Sequence, residues 1–296
     1  MPSPVLIRTF LPLAMCLSSI LIVGPARTAI IEEVVKVPVT VKTMSGDTVT
    51  HDIVVTVLRD DSRAKSPYLI LNHGRAGQES ERRAMGRAVY RKQSEWFVAQ
   101  GFTVFVPTRI GYGATGGDDA ENTGSCTTKN YPVGTEAAVE QIKAVARYAQ
   151  TATYITPNHG VIVGQSVGGM ATIAASARSV PGARAGINVS GGAGGDPIRT
   201  PETPCRADLL ADTFAQYGRT SRIPTLWLYS PNDRFWGPDL PKAWFARFKA
   251  NGGNGQFVAL PPFHDDGHRS FTGNIEAWTI PVAQFLKQNG FPAPSP

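Results

Sequence analysis

Ser166 lies in Gly164-Gln165-Ser166-Val167-Gly168, between the apolar run Val161-Ile162-Val163 and an Ala-rich stretch from Met170 to Ser179. A strand, a sharp glycine-flanked turn and a helix in that order push a serine hydroxyl out of the chain as a nucleophile. They also leave the Val167 main-chain N–H at a helix N-terminus, where it can donate to a developing oxyanion. A serine hydroxyl is a weak nucleophile near neutral pH and needs a base, itself held by a third group. Of five histidines, His51 and His159 are expected at the surface. His268, in the loop His264-Asp265-Asp266-Gly267-His268, is the expected base, with His264 as the alternative. Asp233 follows the run Thr225 to Tyr229 and is the expected orienting carboxylate, with Asp239 as the fallback. Strand ends on one edge of a parallel sheet share one crevice, so Asp233 can reach the neighbourhood of Ser166.

A second oxyanion donor is expected after the run Tyr68 to Leu71, where the chain reads Asn72-His73-Gly74-Arg75-Ala76-Gly77. With this turn, the serine elbow and the order Ser166, Asp233, His268, the chain resembles the α/β-hydrolase superfamily. The likeness is to its dienelactone-hydrolase-like and serine-esterase branches, and it spans about 40–290, nearly all of the chain after its apolar start. The resemblance implies that the Arg75 main-chain N–H is the second donor and that His73 is a structural turn residue. Dienelactone hydrolases proper carry cysteine at the elbow, so Ser166 departs from them, and the likeness speaks to fold more than to that substrate. The implied chemistry is acyl transfer to water through an acyl-enzyme, with no cofactor and no metal. A small-molecule carboxylic ester is the expected substrate. The rivals are a peptidase or amidase of the same superfamily, and a non-catalytic binding protein of that fold.

Elements that could position these residues are legible in the apolar pattern. Two β-rich runs, Val34 to Val41 and Val49 to Leu58, flank Ser45-Gly46-Asp47 and read as a hairpin. Six further short runs begin at Tyr68, Phe102, Val161, Ala185, Thr225 and Gln256, and segments of helical period separate them. The expectation is one α/β domain over 27–296 of the α/β-hydrolase kind, a mainly parallel eight-stranded sheet with helices on both faces. Two connections exceed simple turns, 107–131 and 190–223, the second read as a small cap insertion with a short helix over 207–217; loops of that size are usually functional. Arg109, Tyr112 and Trp236 are the expected substrate-binding residues.

The chain has 296 residues, 42% hydrophobic and 18% charged, which suits a packed core rather than a disordered chain. Arg8, the apolar run Phe10 to Val23 and Gly24-Pro25-Ala26 read as a signal segment over 1–26, short for the roughly 20 residues that span a bilayer, so no stable membrane span is expected after its cleavage; an uncleaved anchor is the alternative. Its loss would remove Cys16 and leave Cys126 and Cys205, an even pair expected to form a disulfide in a periplasmic or secreted protein. The net charge of +6 comes without a nucleic-acid-binding motif, so no nucleic-acid partner is expected. Arg83, Arg87 and Arg91, four residues apart, read as one solvated helix face. Oligomeric state is not legible.

Overall fold

The computed structural model describes residues 1–2 and 30–292. The expected signal segment therefore lies almost entirely outside the described residues. In chain order the elements are β1 (Ile30–Lys42), β2 (Thr48–Asp60), β3 (Ser66–Asn72), α1 (Glu79–Ala84), α2 (Arg91–Ala99) and β4 (Thr103–Thr108). Next come α3 (Tyr131–Thr151), β5 (Ile155–Gln165), α4 (Val167–Ser176), β6 (Ala183–Val189) and α5 (Ala207–Thr220). The chain ends with β7 (Thr225–Tyr229), α6 (Leu240–Ala250), β8 (Gly255–Ala259), α7 (Ser270–Gly273) and α8 (Ile275–Gln288).

The strands form one eight-stranded sheet in the order β1-β2-β4-β3-β5-β6-β7-β8. β2 runs antiparallel to both β1 and β4, and every other neighbouring pair is parallel. The hairpin is thus the outer edge, closed by a turn in which the Gly46 N–H donates to the Thr43 carbonyl. Because successive side chains point to opposite faces, Tyr68 and Ile70 enter one core, with Ile162, Trp227 and Phe214. Leu69 and Leu71 enter the other, with Val163, Leu228 and Trp278. Apolar residues of α3, α4, α5 and α6 fill the first core; those of α2 and α8 fill the second.

Two expectations about connections need correction. The arginines at 83, 87 and 91 do not share a helix: Arg83 is on α1 and Arg91 opens α2, separated by a break at Gly86 with φ +69°. Arg87 and Arg91 instead converge on Glu32 of β1, pinning the start of α2 to the sheet edge. The 190–223 segment is not a cap throughout. Leu210, Phe214 and Tyr217 form an apolar stripe at i, i+4 and i+7, and the Phe214 ring lies 5.1 Å from that of Trp227 on β7. α5 therefore belongs to the layer covering the sheet, and only the stretch before it borders the site described below.

The loops at 107–131 and 190–206 are joined by a Cys126–Cys205 disulfide, with a Cα–Cα distance of 5.2 Å. Among the described residues, no helix is long and apolar enough to cross a membrane.

Candidate active site

The turn from β5 into α4 holds Ser166 at φ 56° and ψ −124°, a left-handed conformation that costs energy for any residue but glycine. Two glycines make the turn sterically feasible. A side chain at Gly164 would collide with the Gly168 carbonyl, and one at Gly168 with the carbonyls of Asn72 and His73. The turn is thereby packed against the end of β3. A Cβ added at Gly74 would lie 3.2 Å from Ser166 Cβ, so the Gly74-Arg75 segment passes directly beside the serine. Among the described residues, neither the Val167 nor the Arg75 main-chain N–H has a hydrogen-bond partner. Ser166 Oγ likewise has none there, and the residue is 9% exposed.

Asp233 follows β7 and is fully buried. Its Oδ1 accepts the Phe235 N–H at 2.9 Å, and the carboxylate faces His268 Nδ1 at 2.9 and 3.1 Å. His268 sits in a 3₁₀ turn, Gly267–Arg269, whose start is fixed by Asp266: its Oδ1 accepts the N–H groups of His268 and Arg234 at 3.0 and 3.1 Å. The Phe235 ring stacks on the imidazole at 4.0 Å between centroids. With Nδ1 turned to a carboxylate, Nε2 is the nitrogen left for proton transfer. The alternatives are placed elsewhere. Asp239 is an exposed residue at the start of α6, 3.6 Å from Lys242, and His264 is exposed against Phe263.

Two cavities meet at Ser166. The smaller, about 470 Å³, includes His268, Tyr90, Val89 and Met85 in its wall; the larger, about 720 Å³, includes Val167, Lys129, Gly195 and Trp236. Trp236 thus stands in the wall of the cleft, its indole N–H donating to the Ser190 carbonyl at 2.8 Å.

The expectation that Arg109 and Tyr112 contact substrate does not match their placement. Both are 0% exposed and neither lines either of these two cavities. Glu121 is the reason: its carboxylate takes the Arg109 guanidinium into a fully buried ion pair, and Tyr112 packs against the pair. Arg109 also donates to the His73 carbonyl at 2.8 Å, and its N–H to His73 Nε2 at 3.2 Å. Burial and the Arg109 charge hold the His73 imidazole well below its ordinary pKa. Arg75, by contrast, lines both cavities, its side chain pairing with Asp119.

Gln165, unremarked as a functional position in the sequence, ties three parts of the site together. Its side-chain amide donates to the His268 carbonyl at 3.0 Å and accepts from the Tyr90 hydroxyl at 3.0 Å. Tyr90 Oη in turn accepts the Gly74 N–H at 3.3 Å. The signal was adjacency to Ser166 alone, because neither partner is near in sequence. Among the described residues, no three His, Cys, Asp or Glu side chains are grouped to hold a metal ion.

Residues 73–287 match the Alpha/beta hydrolase family. The chain belongs to that family. It is therefore a hydrolase of the α/β-hydrolase superfamily. Among solved structures it is similar to a protein described as a dienelactone hydrolase from Klebsiella pneumoniae subsp. pneumoniae, at TM-score 0.58 and 15% identity, covering 88% of this chain and 98% of that one. It is also similar to an acetyl xylan esterase from Paenibacillus sp. R4, at TM-score 0.56 and 13% identity over 87% and 88% of the two chains. An acylaminoacyl peptidase of Pyrococcus horikoshii superposes at TM-score 0.58 and 13% identity, over 91% of this chain but 43% of that one. At these identities the likeness is one of fold. Among curated proteins, none matches this chain at a significant level.

Proposed function

We propose that the protein is an exported serine hydrolase that cleaves carboxylic esters of small molecules. In this reading Ser166 Oγ attacks the ester carbonyl carbon while His268 Nε2 takes its proton, and the Val167 and Arg75 N–H groups receive the oxyanion. The tetrahedral intermediate collapses, the C–O bond to the alcohol breaks, and His268 returns the proton to the leaving oxygen. Water then attacks the acyl-Ser166 carbonyl with His268 as base, releasing the acid and restoring the serine. Asp233 orients the imidazole and stabilises its cation. The Ser166–His268 hydrogen bond, which is not among the contacts of the described residues, forms with substrate in place.

The observation that carries the reading is the convergence on one cavity of a serine at positive φ and a histidine whose Nδ1 faces a buried carboxylate. Residues 1–26 are read as the export signal and 27–296 as the hydrolase domain; the Cys126–Cys205 disulfide is compatible with an oxidising compartment. Trp236 is assigned to the substrate-contacting wall, and no cofactor is called for. The test is hydrolysis of short p-nitrophenyl esters by residues 27–296 beside Ser166→Ala. The expected result is activity in the wild type and a loss of about 10³-fold or more in the variant. Equal, slow hydrolysis by both would reject the reading, and turnover of peptides or amides alone would move it to the peptidase branch.

A further inference from the structure

The two cavities beside Ser166 share Arg75, Ala76, Ser166 and Phe235, so an ester bound at the serine has access to both. Their other walls differ. His268 lines only the smaller cavity, with the apolar side chains of Met85, Ala88 and Val89. Val167 lines only the larger, with Gln78, Asn122, Thr123 and Lys129. The chemistry decides the orientation of the ester: the group that took the serine proton must deliver it to the leaving oxygen, so the alcohol lies on the side of His268. The acyl substituent, on the opposite side of the carbonyl carbon, points into the larger cavity.

That cavity holds one ammonium without a carboxylate partner. Arg75 is held by Asp119, Glu121 by Arg109, and Arg199 lies 3.9 Å from Asp196, while the Glu81 carboxylate, also in the wall, accepts the Gln78 N–H at 3.2 Å. Lys129 instead donates to Thr123 Oγ1 at 3.2 Å and to the Gly124 carbonyl, and among the described residues it forms no ion pair. An ammonium has three N–H donors, so one is left for a ligand. The loop that carries Lys129 is fixed three residues away by the Cys126–Cys205 disulfide, and Cys205 is itself in the cavity wall. The ammonium is therefore presented on a constrained loop, which lowers the cost of ordering it around a ligand.

Building on the ester-hydrolase reading, we propose that the cleft sorts its substrate by polarity: a short apolar alcohol occupies the cavity beside His268, and an acyl group bearing an oxygen acceptor occupies the larger one, held by Lys129. The acceptor is a carboxylate or a neutral ether or hydroxyl oxygen, and the substrates below separate the two.

Acid release is followed for butyl hydrogen succinate, butyl 4-methoxybutanoate, butyl pentanoate and 2-methoxyethyl pentanoate. At least one of the esters with oxygen in the acyl chain is expected to exceed 2-methoxyethyl pentanoate in kcat/KM by about tenfold, the equivalent of one charge-assisted hydrogen bond. A faster succinate identifies a carboxylate, and a faster methoxybutanoate a neutral oxygen. Lys129→Met should bring the preference to within about twofold, a change smaller than one net hydrogen bond. Val89→Trp, which fills the smaller cavity, should slow butyl esters relative to methyl esters of the same acid. A preference for oxygen on the alcohol, or a preference that survives Lys129→Met, overturns the division of the cleft while leaving ester hydrolysis standing. Failure of the wild type on all these esters, and on the p-nitrophenyl series, removes the ester reading and this inference together.

Discussion

Two buried histidines lie after strands of the one sheet, and their surroundings give them opposite properties. His73, at the end of β3, is enclosed by the Arg109 main chain and guanidinium, the Gly74 carbonyl and the Tyr112 ring. Its Nε2 accepts an N–H and its Nδ1 faces a carbonyl at 2.6 Å, so the neutral form satisfies both nitrogens and a second proton would have no acceptor. His268, in the loop after β8, has a carboxylate at Nδ1 and a cavity on its other side. The difference teaches that burial alone does not mark a catalytic histidine. What distinguishes the two is whether the imidazolium would have a counterion and whether one nitrogen opens to a ligand.

Replacing the counterion breaks the comparison most sharply. Asp233→Asn should lower kcat for p-nitrophenyl esters by about 10⁴-fold, the scale found where an amide selects the wrong imidazole tautomer. His268→Gln should cost at least as much. A loss under tenfold in either, with folding intact by circular dichroism, would remove His268 from its role.

The next largest effect is on stability and lies at the constrained loops rather than at either histidine. Cys126 and Cys205 are 79 residues apart, a closed loop whose release costs at most about 4–5 kcal/mol in the chain-entropy account. Cys126→Ser with Cys205→Ser should therefore lower the urea midpoint of unfolding substantially. An unchanged midpoint would show that packing alone holds these loops.

The hydrogen bond from Gln165 to the His268 carbonyl makes His268 part of a positioned array, while His73 is held by its own neighbours. Gln165→Met should lower kcat about tenfold with KM little changed, roughly the value of one hydrogen bond to a group whose position matters. Tyr90→Phe should have a smaller effect, and the double variant should be less than additive because both act on one chain of hydrogen bonds. Equal effects on kcat and KM, or strict additivity, would reduce Gln165 to a packing residue.

The smallest effect is specific to His73. Its folded pKa lies below the ordinary value of 6.5, so the unfolded chain binds the extra proton first. Stability from this group is complete above about pH 6.5 and declines as pH falls toward the folded pKa, at up to about 1.4 kcal/mol per pH unit. His73→Leu should flatten that slope in urea titrations between pH 5 and 7, and should cost about 1–3 kcal/mol at neutral pH by leaving the Arg109 N–H unpaired. A variant with the wild-type slope would place the acid sensitivity elsewhere.

Much of this was legible in the sequence because it is local. The apolar runs give the eight strands, and Gly164 and Gly168 mark a turn that tolerates no side chain at either place. That Asp233 can reach the crevice at Ser166 followed from parallel strands ending on one edge. What was not legible depends on partners distant in the chain. Arg109 looked like a binding residue until Glu121 and His73 enclosed it, and Gln165 gained its part only when Tyr90 and His268 met it. The arginine repeat at 83, 87 and 91 matched a helical period, but Gly86 breaks the helix and Glu32, far off in β1, takes two of the three. α5 read as a cap because its amphipathic stripe does not say which surface it covers.

The most direct test of the central claim is covalent trapping by a short alkyl p-nitrophenyl phosphonate, with the modified residue identified by mass spectrometry. The account predicts one equivalent of phosphonyl group on Ser166, none on Ser166→Ala, and labelling slowed by orders of magnitude in His268→Gln. Labelling at another serine, or at the same rate in His268→Gln as in the wild type, would contradict it.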